Sequence, residues 1–468
     1  MMNTTKVFFL LATVAIVAIL TAACGPAATP SFTAVPPAAT SSLTAIPPTE
    51  TLKPVTIVFW WWGEEEAPGL EKWLNETVTL FEQANPNITV DLVRQTTDGL
   101  IPAAQAAAAA KTGPDLQYYW PVAWMLEDMW YGNLAPLDEL IPEEVAHYVP
   151  AFRDYASWEG HTYAAPLYNI GNPWVYNKEL FQKAGLDPEN PPQTWDDFLA
   201  AGKALKAINI IPIAAGMKDQ WYADWPWMLI QPQLLNSQND WYNTFLGISG
   251  AKMTDPQYLE TWSRLKELID AGFFPPDVNS MNLYEGFDLF LQGKAAIASP
   301  VQPLMAMWAQ QMGPEKLGVM LTPRFASGAL GDKFPTASQY VAVTAWSTHK
   351  TEAAEFITFM HTPDRIQALY KTANAMMGDD RFDKTWITSG IDQKMYDWTY
   401  SDLAYITLYY TAPPTIDEWI WPAVGGLFTG TTSPEEAAVM GENTLESWRQ
   451  ANPDTVEYFT KWFSGMTK

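Results

Sequence analysis

The order of apolar and polar positions predicts alternating strands and helices. Val55-Thr56-Ile57-Val58-Phe59-Trp60-Trp61-Trp62 is a short, nearly unbroken apolar run rich in β-branched and aromatic residues, which predicts a buried strand. Gly63 and the three glutamates Glu64, Glu65 and Glu66 break it. Helical spacing then predicts a helix over about 70–83, stopped near Asn85-Pro86. A second strand is expected at 88–93, and a helix at 99–111 that contains five consecutive alanines. A third strand at 115–120 and a helix at 122–131 complete the run. Strands alternating with helices imply a parallel α/β sheet with both faces covered.

Beyond about residue 170 the predicted helices lengthen. The helix over 194–209 begins at Thr194, with Asp197 three residues on as a variant capping box. The one over 255–271 carries Leu259, Trp262, Leu265, Leu268 and Ile269 on one face. Strands at 295–299 and 339–344 return the chain to sheet. Helices over 351–361, 363–371, 391–400, 433–450 and 454–464 make the C-terminal region helix-rich.

The first residues have a different pattern. Lys6 precedes an uncharged apolar run over 7–23, and Leu20-Thr21-Ala22-Ala23-Cys24 closes it. A basic start, an apolar stretch and small residues before a boundary mark an export signal. The boundary resembles the bacterial lipoprotein signal, with Thr21 where the commonest pattern has Leu. The resemblance implies cleavage before Cys24 and a lipid on its sulfur. The run is short for a spanning helix, which wants about 20 residues. An uncleaved anchor and a plain signal peptide are the alternatives. Residues 25–53 form a Pro/Thr/Ser-rich linker with Pro-Pro at 36–37 and 47–48, a composition that stays extended.

The chain beyond the signal is too long for one ordinary core and suggests two lobes of about 200 residues each. Cys24 is the single cysteine, so no intramolecular disulfide forms. The formal net charge of −25 argues against nucleic acid and against adhesion to anionic lipid, and favours solubility. A cationic ligand such as a polyamine stays open. The chain holds 23 Trp, 20 Tyr and 21 Phe, so some rings are expected to serve recognition as well as packing.

Several segments, in order, resemble the extracellular solute-binding protein family 1, the sugar-binding lipoproteins of ABC importers. They are Phe81-Glu82-Gln83-Ala84-Asn85-Pro86-Asn87-Ile88-Thr89-Val90, Thr112-Gly113-Pro114-Asp115-Leu116 and Gly132-Asn133-Leu134-Ala135-Pro136-Leu137-Asp138. Gly160-His161-Thr162-Tyr163-Ala164-Ala165-Pro166, Tyr176-Asn177-Lys178-Glu179-Leu180-Phe181, Pro192-Gln193-Thr194-Trp195-Asp196-Asp197-Phe198 and Phe290-Leu291-Gln292-Gly293-Lys294-Ala295 continue the match. Much of this reads as scaffold: Asn177 and Thr194 suit helix caps, and Gly185 and Gly293 suit helix stops. The resemblance implies an α/β, two-lobe periplasmic-binding-protein-like fold, similar to maltose-binding protein, with hinge strands near 168–171, 339–343 and 375–380. It places 54–168 plus 343–377 in an N-lobe and 169–342 plus 378–468 in a C-lobe. It further implies a monomeric receptor, held at the outer face of the cytoplasmic membrane, that passes its ligand to ABC permease subunits.

A sugar is held by flat rings against its C–H faces and by planar polar groups on its hydroxyls. Open α/β sheets present ligands at the carboxyl ends of their strands. That rule selects Trp62 and Glu66 after the first strand, and Tyr119 and Trp120 at the end of the third. Tyr168 and Asn169 at the first crossing and Gln339 at the second are further candidates. Three tryptophans and two aspartates crowd 219–227, and two carboxylates there are costly to bury. Trp221, Asp224 and Trp225 are therefore expected in a half-open cleft. Trp419 and Trp421 form a candidate pair in the far lobe. The glutamates have a plainer alternative as helix caps, and the tryptophans as core.

No cofactor, metal site or catalytic residue is expected. The four histidines are scattered, and there is neither a G-x-S-x-G elbow nor a G-x-x-x-x-G-K-[ST] phosphate loop. The expected function is carbohydrate capture for an ABC importer, with an oligosaccharide favoured by the many rings. An exported glycoside hydrolase or a carbohydrate-binding adhesin is the alternative.

Overall fold

The structure is a computed structural model that describes residues 53–220 and 224–466. Cys24, the export signal and the linker lie outside the described residues. Two principal sheets organise the folded body. The first is built from β1 (Val55–Trp61), β2 (Ile88–Arg94), β3 (Leu116–Tyr119), β4 (Ala164–Asn169) and β10 (Ser338–Val343) in the order β2-β1-β3-β10-β4. The second is built from β5 (Trp174–Asn177), β6 (Ile211–Ile213), β7 (Ala295–Ala298) and β8 (Leu317–Met320) in the order β8-β5-β7-β6. A short parallel pair, β9 (Phe334–Thr336) with β11 (Ala404–Ile406), stands beside them.

The expected strands and most expected helices are present, but the sheets are mixed rather than parallel. β1 pairs in parallel with β2 and β3, as βαβ crossovers require. β10 then enters antiparallel to both β3 and β4. It arrives from the second-sheet region through β9, so its direction is set by a long-range return and not by a local crossover. Residues 338–342, expected with the second lobe, thus run in the first sheet. The expected helix over 122–131 is split into a 3-10 turn, Val122–Trp124, and a short α-helix, Leu126–Trp130.

Helix ends are set by the side chains that cap them. Asn177 accepts from the Leu180 N–H at 3.1 Å, and Thr194 accepts from the Asp197 N–H at 3.2 Å. Glu64 caps helix Leu70–Ala84 by accepting from Gly69 and Glu71 N–H groups at 2.9 and 2.7 Å. That helix buries Leu70, Trp73, Leu74, Thr77 and Phe81 against the first sheet's core. Helix Asp417–Thr429 is not foreseen by the pattern, because Pro422 and Gly425-Gly426 interrupt it. Tertiary packing stabilises it: Trp419 lies so close over helix Pro434–Ala451 that a Cβ on Gly441 would come within 3.1 Å of the indole.

Candidate ligand-binding cleft

A cavity of about 730 Å³ opens beyond the carboxyl ends of β1, β2 and β3. Trp62 follows β1, Thr97 and Asp98 follow β2, and Trp120 follows β3, so one side is built by the strand-end rule. The opposite side comes from other elements: Trp225 on helix Asp224–Ile230, Tyr284 on helix Leu283–Leu291 and Trp421 on helix Asp417–Thr429.

Eight aromatic side chains line the cavity. Trp62 and Trp120 meet edge to face at 5.6 Å, and Trp120 and Trp124 do so at 5.8 Å. Trp124 continues to Tyr409 at 5.9 Å and Tyr410 at 6.2 Å. Edge-to-face contact is a favoured aromatic geometry, and it joins Trp62, Trp120 and Trp124 into one ladder along the cavity wall. The Trp62 indole is fixed by its N–H bond to Thr97 Oγ1 at 3.0 Å. The indole N–H groups of Trp120 and Trp421 are buried with no hydrogen-bond partner.

Glu66 is the polar centre of the floor. Gln339 Nε2 donates to its Oε1 at 2.8 Å, and the Tyr168 hydroxyl also bonds to it. The Tyr168 and Tyr118 hydroxyls are 3.0 Å apart, extending the chain inward. β-sheet register explains the assembly, because Gln339 on β10 stands opposite Tyr168 on β4. Burial pushes the Glu66 carboxyl up to about 7, against the lowering effect of the two hydrogen bonds. Asp417 is pushed up to about 6, first by burial, against its bond from the Tyr409 hydroxyl and with a further rise from Glu418.

The predicted residues divide. Trp62, Glu66, Trp120, Trp225, Gln339 and Trp421 line the cavity together. Tyr119 does not; its side chain turns to the other face of the sheet and donates to Asp128 at 2.7 Å. Tyr168 lies beneath the cavity in the Glu66 chain, and Asn169 is buried, donating to the Tyr400 hydroxyl at 3.2 Å. Trp419 is fully buried, packed edge to face on Trp227 and Trp262 at 6.0 and 5.7 Å. Asp224 opens its helix, but its side chain, like all of Trp221, lies outside the described residues. Sequence reasoning missed Trp124, Tyr284, Tyr409, Tyr410 and Asp417 as lining residues. The strand-end rule reaches Trp124; the others lie on distant segments without a motif.

Glu144, His361 and Asp379 also come together in the interior, with ligand-type atoms within 4.8 Å of one another. Arg381 already satisfies that cluster, bonding to Asp379 at 2.6 Å and to Glu144. His361 completes it at 3.0 Å from Asp379.

Two sheets flanked by helices, with an aromatic and acidic cavity beyond the strand ends, define a solute-binding protein of the periplasmic-binding type. Residues 63–365 match the family described as bacterial extracellular solute-binding protein, and the chain belongs to that family. A putative binding protein of Brucella abortus (strain 2308) is 27% identical over 302 residues, 62% of this chain and 69% of the relative. An uncharacterized ABC transporter extracellular-binding protein of Pyrococcus horikoshii is 27% identical over 369 residues, 75% of this chain and 77% of the relative. A solved chitin oligosaccharide binding protein shares the fold with a TM-score of 0.74 at 20% identity, covering 84% of this chain and 98% of that one. Among the described residues no helix is long and apolar enough to cross a membrane.

Proposed function

We propose that this chain captures a carbohydrate in the cavity and delivers it, chemically unchanged, to the permease of an ABC importer. One observation carries the reading: eight aromatic rings and five carboxylates share a cavity whose described walls hold no Lys, Arg or His. Indole faces suit sugar C–H surfaces, and carboxylates take hydroxyl donors in bonds of about 1.5–3 kcal/mol each. The absence of cations on those walls speaks against a phosphate ester, which is recognised by basic groups. A cavity of about 730 Å³ has room for more than one sugar ring, so the ligand is an oligosaccharide. The name of the chitin oligosaccharide binding protein and the ABC designation of the Pyrococcus relative support the same reading.

In this reading two lobes form around the two sheets, joined near 170–173, 335–337 and 374–380, and close on the ligand. The receptor is monomeric and is tethered by lipid on Cys24 at the outer face of the cytoplasmic membrane. A Cys24→Ala chain that still partitions with membranes would remove the tether from this picture.

A hydrolase has one observation in its favour, since two carboxyls with raised proton affinity, Glu66 and Asp417, line the same cavity. One experiment separates the two. The soluble body is incubated with xylo-, malto- and chito-oligosaccharides while melting temperature and sugar products are followed. Stabilisation with the sugar recovered intact is the expected result; shorter products would replace the receptor by the hydrolase.

A further inference from the structure

The five carboxylates at the cavity are not equivalent. Glu65 is paired with Arg94 at 2.6 Å. Asp98 lies in the first turn of helix Thr97–Ala110, where the helix dipole favours an anion. Asp219 accepts from the Leu283 N–H at 3.4 Å. Asp417 accepts from the Tyr409 hydroxyl at the start of its own helix. Glu66 and Asp417 both have neutral partners and no balancing cation among the groups that act on them, but only Glu66 stands on the floor, bonded to Gln339 and Tyr168. The raised proton affinity of Glu66 is the consequence of its burial there.

A second, independent observation lies beside it. Gln339 is 1% exposed and spends its amide N–H on Glu66, so its carbonyl oxygen is left buried without a partner. Two acceptors therefore stand together at the cavity floor. What they lack is a donor, and what Glu66 lacks is positive charge. The rings above complete the requirement, because aromatic faces attract cations as well as sugar C–H groups.

We propose that the cavity selects its saccharide by charge, preferring one that carries an ammonium group, seated between Glu66 and the Gln339 carbonyl oxygen, over a neutral one, and rejecting one that carries a carboxylate. This rests on the carbohydrate reading and deepens it to basic amino sugars. The neutral N-acetyl form of the same sugar keeps its stacking but loses the charge. The acidic form meets a wall of carboxyl groups and no Lys, Arg or His among the described lining residues.

The test is calorimetric titration of the soluble body, near neutral pH, with five trisaccharides: glucosamine, N-acetylglucosamine, maltose-type, xylose-type and galacturonic acid trimers. The glucosamine trimer is expected to bind about tenfold or more tighter than the best neutral trimer, and the galacturonic acid trimer about tenfold or more weaker. Glu66→Gln, checked for an intact melting transition, is expected to bring the ammonium-to-neutral ratio to within about threefold. Equal affinity for the glucosamine and N-acetylglucosamine trimers overturns the charge preference. So does a neutral trimer that binds when the glucosamine trimer does not, or a ratio that survives in Glu66→Gln. In those outcomes the carbohydrate reading stands. Failure of all five to bind overturns both.

Discussion

Replacing Glu66 by Gln tests the electrostatics of the cleft in the empty protein. The Glu66 carboxyl moves from its ordinary 4.5 to about 7, with burial as the dominant cause. Each tenfold gain in proton affinity is about 1.4 kcal/mol, so the displacement corresponds to roughly 3 kcal/mol. The folded carboxyl holds a proton more tightly than the unfolded chain does. Between about pH 4.5 and pH 7 the folded state therefore carries a proton the unfolded state has lost. Stability falls as pH rises through that window, and the whole deficit is present above about pH 7. Gln is neutral throughout and still accepts from Gln339. The variant should thus be as stable as the parent near pH 4.5 and up to about 3 kcal/mol more stable at pH 8. With about 2.1 cal/mol/K of unfolding entropy per residue over roughly 410 residues, this is a rise in Tm of about 3–4 °C. Differential scanning calorimetry of both proteins, without sugar, at the two pH values gives the difference directly. Other groups titrate alike in both and cancel. A variant that gains nothing on going from pH 4.5 to pH 8 would refute the claim that Glu66 is desolvated and unbalanced.

Trp225→Ala should weaken sugar binding about tenfold or more in a fluorescence titration while the fold persists by circular dichroism; unchanged affinity would assign this ring to scaffold. Trp419→Ala should cost about 3–5 kcal/mol in chemical denaturation, because a fully buried indole leaves a cavity, yet leave affinity within about threefold. Gly63→Ala should destabilise and disturb the floor together: Gly63 has φ 123°, and a Cβ there would stand 2.5 Å from the Tyr168 hydroxyl. Equal Tm for that variant and the parent would contradict the geometry. Burial alone would raise Asp379, but bonds from Arg381 and His361 outweigh it and hold its carboxyl down at about 2. Arg381→Met should therefore cost about 3–5 kcal/mol near pH 7, and less near pH 4 where the freed carboxyls take up protons; a loss that does not depend on pH would refute the pairing.

The fold was legible wherever local periodicity agreed with burial. β1, β2, helix Leu70–Ala84 and the caps at Asn177 and Thr194 arise from residues close in sequence. Strand direction was not legible for β10, because its neighbours β3 and β4 lie far away along the chain. The site was legible only in part, for a related reason. Glu64, Glu65 and Glu66 are chemically alike and consecutive, yet the first caps a helix, the second lines the cavity paired with Arg94, and the third lines it bonded to Gln339. Nothing local distinguishes them. Tyr119 and Trp120 are adjacent at a strand end and turn to opposite sides. Trp419 and Trp421 look like a pair, but two residues apart on a helix they point in different directions, one into the core and one into the cavity. Seeing that required knowing that 417–429 is helical, which Pro422 and the paired glycines conceal.

An unpartnered indole N–H does not by itself mark a binding atom. Trp227, Trp241, Trp262 and Trp419 also bury theirs without a partner, and they lie in the core. What distinguishes the floor is the coupling of its polar atoms to the strands that lead to the second sheet. Gln339 and Tyr168 both bond to Glu66, and their strands run on into segments that bond to each other, Ile170 N–H to Ala337 at 2.9 Å and Asn172 N–H to Pro335 at 3.4 Å. A ligand group that satisfies the Gln339 carbonyl oxygen removes a penalty of about 1–3 kcal/mol at the point where these strands leave the first sheet. The rings that complete its enclosure, Trp225, Tyr284 and Trp421, belong to helices outside that sheet. The free energy of binding is thus divided between walls supplied by separate elements. In the closure proposed above, a ligand so held favours the arrangement in which both walls reach it, which is the condition for occupancy to shift the balance between its open and closed forms.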